Sequence, residues 1–313
     1  MKAVVNAAEE KSRVAVTSVV AAVVLTLAKI GAGLSTGSLG ILSEAAHSAL
    51  DLVAAVMTIF AVRASAKPAD ENHPYGHGKF ETVSALFETI LLLITCLWIV
   101  REAVLRMFFQ ASPVQCTMTG FLVIMGSIAV DFGRSRALLR VARKYQSQAL
   151  EADALHFSTD VWSSAVVALG LGMVWTAERF GVPWLAKADA IAALTVAGIV
   201  VSVSLRLGRK TLNDLLDFVP AGQAQRIRER ILTVPGVMAV RRLRLRRNGG
   251  EWFSDVTIEV FSGLSFQESH AVADAVEEVM QTILKGADCV VHVEPSSFVP
   301  PIQETHGSVR RKG

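Results

Sequence analysis

Two pairs of histidine and aspartate stand in stretches that are otherwise apolar enough to cross a membrane. His47 and Asp51 lie four residues apart, and His156 and Asp160 repeat that spacing. On a helix, residues four apart project from one face with about 6 Å of rise between them, so each pair can share one ligand. Ionisable groups inside a bilayer cost about 2.5–3.5 kcal/mol each on insertion scales, and they persist where they pair, line water or bind something. Interhelical hydrogen bonding would explain one such pair, whereas two matching pairs indicate a common binding site.

The chemistry of these four side chains suits a divalent cation. Two imidazoles and two carboxylates supply four nitrogen and oxygen ligands, which is the coordination number of tetrahedral zinc. With neutral histidines, the two carboxylates cancel the charge of a divalent ion and lower the electrostatic cost of holding it in a membrane. Imidazole titrates at about pH 6.5, so protons can compete with a metal for the same nitrogens.

The composition indicates which elements must position these residues. Of the 313 residues, 52% are hydrophobic and 19% are charged, which is too apolar for an ordinary soluble domain. A membrane-spanning helix needs about 20 mainly apolar residues. Six stretches satisfy this, at about 14–34, 40–62, 82–104, 117–133, 157–177 and 188–207. We therefore predict a polytopic α-helical membrane protein, with six transmembrane helices in residues 1–207 and the two ligand pairs on the second and fifth.

The distribution of basic residues predicts the orientation. Lys and Arg concentrate in the flanks on one side of the six spans, and such a bias marks the cytoplasmic side. Both termini are therefore expected in the cytoplasm, in agreement with an even number of spans. The basic flanks contain Lys2, Lys11, Arg13, Arg63, Lys67, Lys79, Arg134, Arg136, Arg140, Arg143, Lys144, Arg206, Arg209 and Lys210, against Arg101, Arg106, Arg179 and Lys187 on the opposite side.

Residues 208–299 carry charges at the density of a soluble domain and are expected to form a cytosolic C-terminal α+β domain. The pattern predicts the order helix, strand, strand, helix, strand, with a hairpin turn at Asn248, Gly249 and Gly250. Ser265 followed by Glu268 predicts a capping box at the start of the second helix. Residues 300–313 form a polar tail.

Cysteine usage and net charge argue against other kinds of site and partner. The three cysteines lie far apart with no C-x-x-C pair, so we expect neither a disulfide nor a thiolate metal site. The net charge of +3 gives no argument for nucleic acid as a partner. Lys29, Glu88 and Asp131 also interrupt apolar runs, and they either affect transport or serve packing and solvation, the more ordinary explanation. Glu44, one turn before His47, is either an outer carboxylate on the ion path or a residue at the water interface.

The six-span plan with a cytosolic tail, the paired ligands on spans two and five, and the loop PADENHPYGHGKFE together resemble one known family. They are similar to the cation diffusion facilitator family of proton-coupled metal transporters, from about Val14 to Val299. The resemblance implies a homodimer that exports Zn²⁺ or a related divalent cation from the cytoplasm in exchange for protons. It also implies a metallochaperone-like fold for the tail. A multi-pass protein of the bacterial inner membrane is the simplest expectation.

The same resemblance assigns metal sites residue by residue. It implies that His47, Asp51, His156 and Asp160 form the transport site. Many relatives, especially manganese and iron transporters, have aspartate where His47 stands, so the histidine here favours zinc. Three loop residues, Asp70, His73 and His77, match a second ion site near the membrane surface, although a hydrated loop would be polar in any case.

The C-terminal domain departs from the family pattern. The positions that match a two-metal cluster of many relatives are Arg241, Thr257, His270, His292 and Glu294, and arginine and threonine replace histidine at the first two. The remaining three could still bind one ion, with another element or a partner chain completing the ligand set. Exposed histidines without a metal are also common. The family further implies an ion pair between Lys79 and Asp217 at the neck between the membrane and the tail.

Two other functions are weighed against transport. A membrane-embedded metalloenzyme also uses His and Asp on helices, but the sequence has no H-E-x-x-H motif, and three of its seven histidines lie in the C-terminal part. A metal sensor would depend on the tail sites, which are the degraded ones. We predict a transporter and no enzyme, without a cofactor, in which the metal is the substrate and can also serve as a regulatory ligand. Fe²⁺, Mn²⁺, Co²⁺ and Cd²⁺ remain alternatives to Zn²⁺.

Overall fold

The chain consists of long helices followed by a small mixed domain. A computed structural model describes residues 2–37, 39–108, 118–180, 185–284 and 286–296. The long helices are α1 (Lys2–Thr36), α2 (Leu39–Ser65), α3 (Lys79–Phe108), α4 (Met118–Tyr145), α5 (Gln148–Phe180) and α6 (Leu185–Leu215). The shorter elements are α7 (Ala221–Ile231), β1 (Val237–Asn248), β2 (Glu251–Val260), α8 (Phe266–Ile283) and β3 (Asp288–Pro295).

The long helices present apolar side chains to their surroundings. Leu34, Phe60 and Trp98 each expose between 66% and 70% of their surface. Such a surface is unfavourable in water and suits contact with lipid. By length and composition, three helices among the described residues are apolar enough to cross a membrane, at Asn6–Ser35, Glu44–Ser65 and Lys79–Trp98. The six predicted spans fall on α1 to α6, one on each helix.

Small side chains let the long helices approach one another. Helix α1 packs against α2 and α4, α5 packs against α4 and α6, and α2 also contacts α5. Alanines at 54, 55, 152 and 154 are almost completely buried along α2 and α5, and small residues at such interfaces permit close backbone contact. The larger members of this core are Val62, Leu138, Leu150 and Phe157. The two ligand-bearing helices therefore belong to one packed bundle.

A buried carboxylate at the start of α3 connects four elements. Glu81 is only 2% exposed, and it accepts hydrogen bonds from Lys11 Nζ at 2.7 Å and from Ser65 Oγ at 2.9 Å. Ser147, which immediately precedes α5, donates to its other oxygen. We call Lys11, Ser65, Glu81 and Ser147 the Glu81 cluster. It joins α1, the end of α2, α3 and the start of α5 at one end of the bundle.

Helix α6 continues beyond the point where the charge of the sequence changes. The sequence places that change at Gly208, but the helix ends at Leu215, where Asp217 adopts a left-handed conformation with φ of 54° and Pro220 follows. A glycine does not by itself end a helix, and RKTLNDLL contains good helix formers. The chain divides into two compact units, of which the first comprises Met1–Phe218 and Arg247–Gly250. The polar tail 300–313 lies outside the described residues.

The second unit is the α+β domain that the sequence predicts. Its three strands are ordered β1, β2, β3, and β3 runs parallel to β2. Gly249, with φ of 62°, and Gly250 form the turn between β1 and β2, and these two residues group with the first unit. Ser265 caps α8 and exchanges hydrogen bonds with Glu268, which confirms the predicted capping box. The domain has its own core, which includes Ile227, Ile231, Val256, Ile258, Val276 and Met280.

Candidate metal centre

The four predicted membrane ligands lie together between α2 and α5. Asp51 Oδ1 is 3.8 Å from His47 Nε2 and 3.1 Å from His156 Nε2. Asp160 Oδ1 is 3.8 Å from His47 Nε2, and Asp160 Oδ2 is 3.6 Å from His156 Nε2. Each carboxylate therefore faces both imidazoles. The helical spacing within each pair and the packing of α2 on α5 produce a single cluster of two nitrogens and two carboxylates.

This cluster is buried on the α5 side and more open at His47. The side chain of His156 is 4% exposed, whereas that of His47 is 35% exposed. Asp160 Oδ2 and His156 Nδ1 are buried without a hydrogen-bond partner among the described residues. A buried polar atom without a partner costs about 1–3 kcal/mol. A cation held between the carboxylates would satisfy the Asp160 oxygen.

Contacts from α4 hold the ligand-bearing part of α5 in place. Ser135 Oγ donates to Ala154 O at 2.8 Å. The Arg134 guanidinium lies 3.5 Å from the centre of the Phe157 ring and donates to Ser18 Oγ of α1 at 3.1 Å. Phe157 follows His156 directly, so this stacking fixes the backbone beside the second ligand pair. Sequence counting places Arg134 among flanking surface charges, but it is only 7% exposed.

Two further carboxyl groups lie buried near the cluster. Glu88 of α3 and Asp153 of α5 have no exposed surface, and Thr58 of α2, equally buried, donates a hydrogen bond to Glu88. Both carboxyl groups interact electrostatically with His156. The sequence analysis did not single out Asp153. Its position three residues before His156, on the same helical face, is the signal that would have found it.

A lysine of α1 contacts α2 beside the first ligand pair. Lys29 is 5% exposed, and its Nζ donates to Ser48 Oγ at 2.7 Å and lies 3.2 Å from Glu44 Oε2. Thr26 Oγ1 donates to the carbonyl oxygen of Ser48 at 3.1 Å. Because Ser48 follows His47 directly, α1 braces α2 at the first ligand.

The loop between α2 and α3 brings Asp70, His73 and His77 together. Their nearest ligand atoms lie within 4.8 Å of one another. Asp70 Oδ1 is 3.1 Å from His73 Nδ1, and Asp70 Oδ2 is 3.4 Å from His77 Nε2. Asp70 and His73 are exposed, whereas His77 is buried. The loop thus forms a second cluster with the donor types of a metal site, open to water.

Backbone contacts prepare the loop carboxylate for a cation. The amide of His73 donates to Asp70 Oδ1 at 2.7 Å, and the amide of Asn72 donates to the same oxygen at 3.0 Å. The His73 amide is the main cause that lowers the pKa of Asp70, so this carboxyl is ionised at neutral pH. His77 Nδ1 lies 3.1 Å from Pro68 O, and this contact favours a proton on Nδ1 and leaves a lone pair on Nε2.

The structure does not bring the predicted metal ligands of the C-terminal domain together. His270 is 69% exposed at its side chain and its nearest acidic partner is Asp274, at 3.9 Å. His292 Nε2 lies 3.7 Å from Glu294 Oε1 on β3, with both side chains largely exposed. Within the residues that the structure describes, His270 does not join this pair in a metal-binding group. Thr257 is the register partner of His292, and Arg241 pairs with Glu259.

We expect the isolated cytosolic domain, residues 219–313, to bind at most about one zinc ion per chain. The reason is that, among the described residues of this domain, the predicted ligands do not form a group of three or more, and isolated pairs of exposed ligands such as His292 with Glu294 bind weakly. Isothermal calorimetry with Zn²⁺ measures the stoichiometry directly. The variant His292→Ala should abolish this zinc binding. Two tight zinc ions per chain would contradict the prediction.

The ion pair predicted at the neck forms within one chain. Lys79 Nζ lies 3.0 Å from Asp217 Oδ1, and the two side chains are 42% and 43% exposed. Lys79 begins α3, and Asp217 follows the end of α6. The pair therefore connects the loop that carries Asp70, His73 and His77 to the end of the membrane helices.

Charge reversal at either end of this pair should slow transport by up to about fivefold, because an exposed ion pair contributes at most about 1 kcal/mol. We expect Lys79→Glu and Asp217→Lys to show this loss in vesicle uptake, and the double variant to recover part of it. Asp217→Asn is the matched control, since asparagine tolerates the left-handed backbone and removes only the charge. Wild-type rates in both single reversals would show that the pair has no role in transport.

Comparison with known proteins adds independent information. The cation efflux transmembrane domain matches residues 15–216, and the cytoplasmic domain of cation efflux proteins matches residues 219–296. The cation-efflux pump FieF of Klebsiella pneumoniae is 31% identical over 294 residues, which are 94% of this chain and 95% of that protein. FieF of Escherichia coli O1:K1 is 33% identical over 297 residues, 92% of this chain and 94% of that protein.

A solved structure also aligns with part of this chain. A variant of the MamM C-terminal domain aligns with 26% identity over 24% of this chain and 95% of its own, with a TM-score of 0.23. The two domain matches cover both compact units, and the FieF relatives align over nearly the full length. The chain belongs to the cation diffusion facilitator family of cation efflux transporters.

Proposed function

We propose that this chain exports divalent metal cations, with Zn²⁺ as the preferred ion, from the cytoplasm in exchange for protons. As a member of the cation efflux family it is a membrane transporter and not an enzyme. The observation that carries the proposal is the cluster of His47, Asp51, His156 and Asp160, in which two carboxylates and two imidazoles converge between two long helices.

The donor set supports zinc as the substrate. Two nitrogens and two carboxylates match the number and type of ligands that Zn²⁺ takes in tetrahedral sites. Harder ions such as Mn²⁺ prefer oxygen ligands, and the imidazoles of His47 and His156 disfavour them. Fe²⁺, Co²⁺ and Cd²⁺ accept imidazole as well, so they are the nearest competitors.

The same imidazoles support exchange with protons. A bound dication keeps both rings deprotonated, and protons compete for the ring nitrogens once the site opens toward a more acidic compartment. Helices α2 and α5 each carry one histidine and one aspartate, so a change in their relative tilt alters all four ligands together. This is the geometry that alternating access requires of a binding site between helices.

The loop cluster and the C-terminal domain are proposed to support transport rather than to carry it out. Asp70, His73 and His77 form a weaker site at the membrane surface on the cytosolic side, where the basic flanks predict both termini. The C-terminal domain contributes contacts of a homodimer and regulation. The proposed location is the bacterial inner membrane, in keeping with the bacterial FieF relatives.

Uptake into proteoliposomes tests the proposal. We expect Zn²⁺ to enter faster than Fe²⁺, Mn²⁺, Co²⁺ or Cd²⁺ at equal concentration, and an imposed pH gradient to accelerate the uptake. A pH-sensitive dye should report proton movement opposite to the metal. Uptake that is indifferent to the pH gradient would overturn proton exchange, and a higher rate for another ion would overturn the preference for zinc.

A further inference from the structure

A buried cation stands beside the proposed transport site without being one of its ligands. The Lys29 side chain is 6% exposed within an apolar helix, where a charge must be paired to persist. Its two polar contacts, Glu44 and Ser48, belong to α2. Glu44, Ser48 and Asp51 are separated by four and three residues, so they lie on one helical face. Lys29 therefore contacts the face of α2 that carries Asp51, a member of the first ligand pair.

The two charges of the Lys29–Glu44 pair are held differently. The Glu44 side chain is 50% exposed, whereas Lys29 is buried and fixed by its hydrogen bond to Ser48. Lys29 also interacts electrostatically with Asp160 on α5. Its charge therefore acts on one ligand of α5 and lies against the residue that follows His47, and among the described residues Glu44 is the acidic group in ion-pair contact with it.

We propose that Lys29 is a positioning residue that lowers the affinity of the transport site for its cation through electrostatic repulsion, and that Glu44 reduces this repulsion. The inference rests on the proposed function. Two carboxylates and two imidazoles without a nearby cation would bind a dication tightly, and a transporter must also release it. A fixed ammonium close to the site repels the dication strongly because the surrounding dielectric constant is low.

A purely structural role of the pair predicts a different outcome. If the pair only braces α1 against α2, the loss of either partner disturbs the same contact and changes the site in the same direction. If the pair acts through its field, the loss of Lys29 strengthens metal binding and the loss of Glu44 weakens it. The sign of the two effects therefore separates the roles.

Kinetics of the full-length protein in proteoliposomes provide the test. We expect Lys29→Met to lower the KM for Zn²⁺ about tenfold and to reduce the maximal rate, because release becomes slower. Glu44→Gln should raise KM about tenfold for the opposite reason. Lys29→Arg keeps the charge, and its KM should stay close to that of the wild type. Shifts of KM in the same direction for Lys29→Met and Glu44→Gln would overturn the inference.

A second lysine and glutamate pair offers a matched control. Lys210 Nζ lies 2.6 Å from Glu151 Oε2, and with 46% and 35% of the side chains exposed solvent screens both charges, whereas Lys29 in the first pair is buried. Lys210→Met and Glu151→Gln should leave KM unchanged. If Lys29→Met fails to reach the membrane, Glu44→Gln decides, and an unchanged or lowered KM there overturns the inference. A wild-type protein that takes up no divalent cation would instead overturn the proposed function.

Discussion

Asp51→Ala and Asp160→Ala are expected to lower the initial rate of Zn²⁺ uptake at least about a hundredfold while the protein still folds. Each aspartate faces both histidines of the cluster, at 3.1 and 3.8 Å for Asp51 and at 3.6 and 3.8 Å for Asp160. Removing either one leaves three ligands and only one carboxylate against a dication. An incompletely neutralised ion inside the membrane is costly, so the loaded state should become inaccessible.

Three controls separate loss of the site from loss of the fold. Size-exclusion profiles and melting temperatures of the purified variants should match those of the wild type. Asp51→Asn and Asp160→Asn keep the shape of the side chains and remove only the charge, and they should be as inactive as the alanine variants. Asp70→Ala in the surface loop should reduce uptake far less. Wild-type rates in either alanine variant would overturn the proposed transport site.

His47→Asp is expected to keep transport and to raise the ratio of Mn²⁺ to Zn²⁺ uptake by about tenfold. The change replaces a nitrogen ligand by oxygen, which harder cations prefer. Position 47 can accommodate the new carboxylate, because the His47 side chain is 35% exposed and water can reach the site there. Competition between the two ions in proteoliposomes measures the ratio.

His156→Asp is the matched control for this selectivity change. The His156 side chain is only 4% exposed and lies near the buried carboxyl groups of Glu88 and Asp153. An additional carboxylate there would be poorly solvated and repelled, so we expect loss of transport rather than a change of selectivity. If His47→Asp and His156→Asp alter selectivity equally, burial does not distinguish the two histidines.

The membrane cluster could be predicted because its information is local. Spacing of four residues places His47 and Asp51 on one face, and the apolar surroundings make such groups exceptional. The contact between Lys29 and Ser48 could not be predicted in this way, since it depends on how α1 packs on α2. For Arg134, charge counting pointed to the surface, because hydropathy does not register a buried partner such as Phe157.

The C-terminal domain shows a second limit of predicting a metal site from the sequence. His270, His292 and Glu294 match ligand positions of relatives, but matching types do not require that one chain brings them together. Among the residues that the structure describes, His270 does not join the other two in a metal-binding group. The α+β order, by contrast, follows from periodicity and from turn and cap residues, all of which are short-range signals.

The Glu81 cluster has a consequence for how the bundle can move. One carboxylate serves Lys11, Ser65 and Ser147, and it is almost inaccessible to water. If α2 or α5 alone moved away at this end, Glu81 would lose a donor that no solvent replaces, at a cost of about 1–3 kcal/mol. Partial separations are therefore disfavoured relative to both the closed arrangement and a fully hydrated open one. We therefore expect the ends of the two ligand-bearing helices to separate together rather than one after the other.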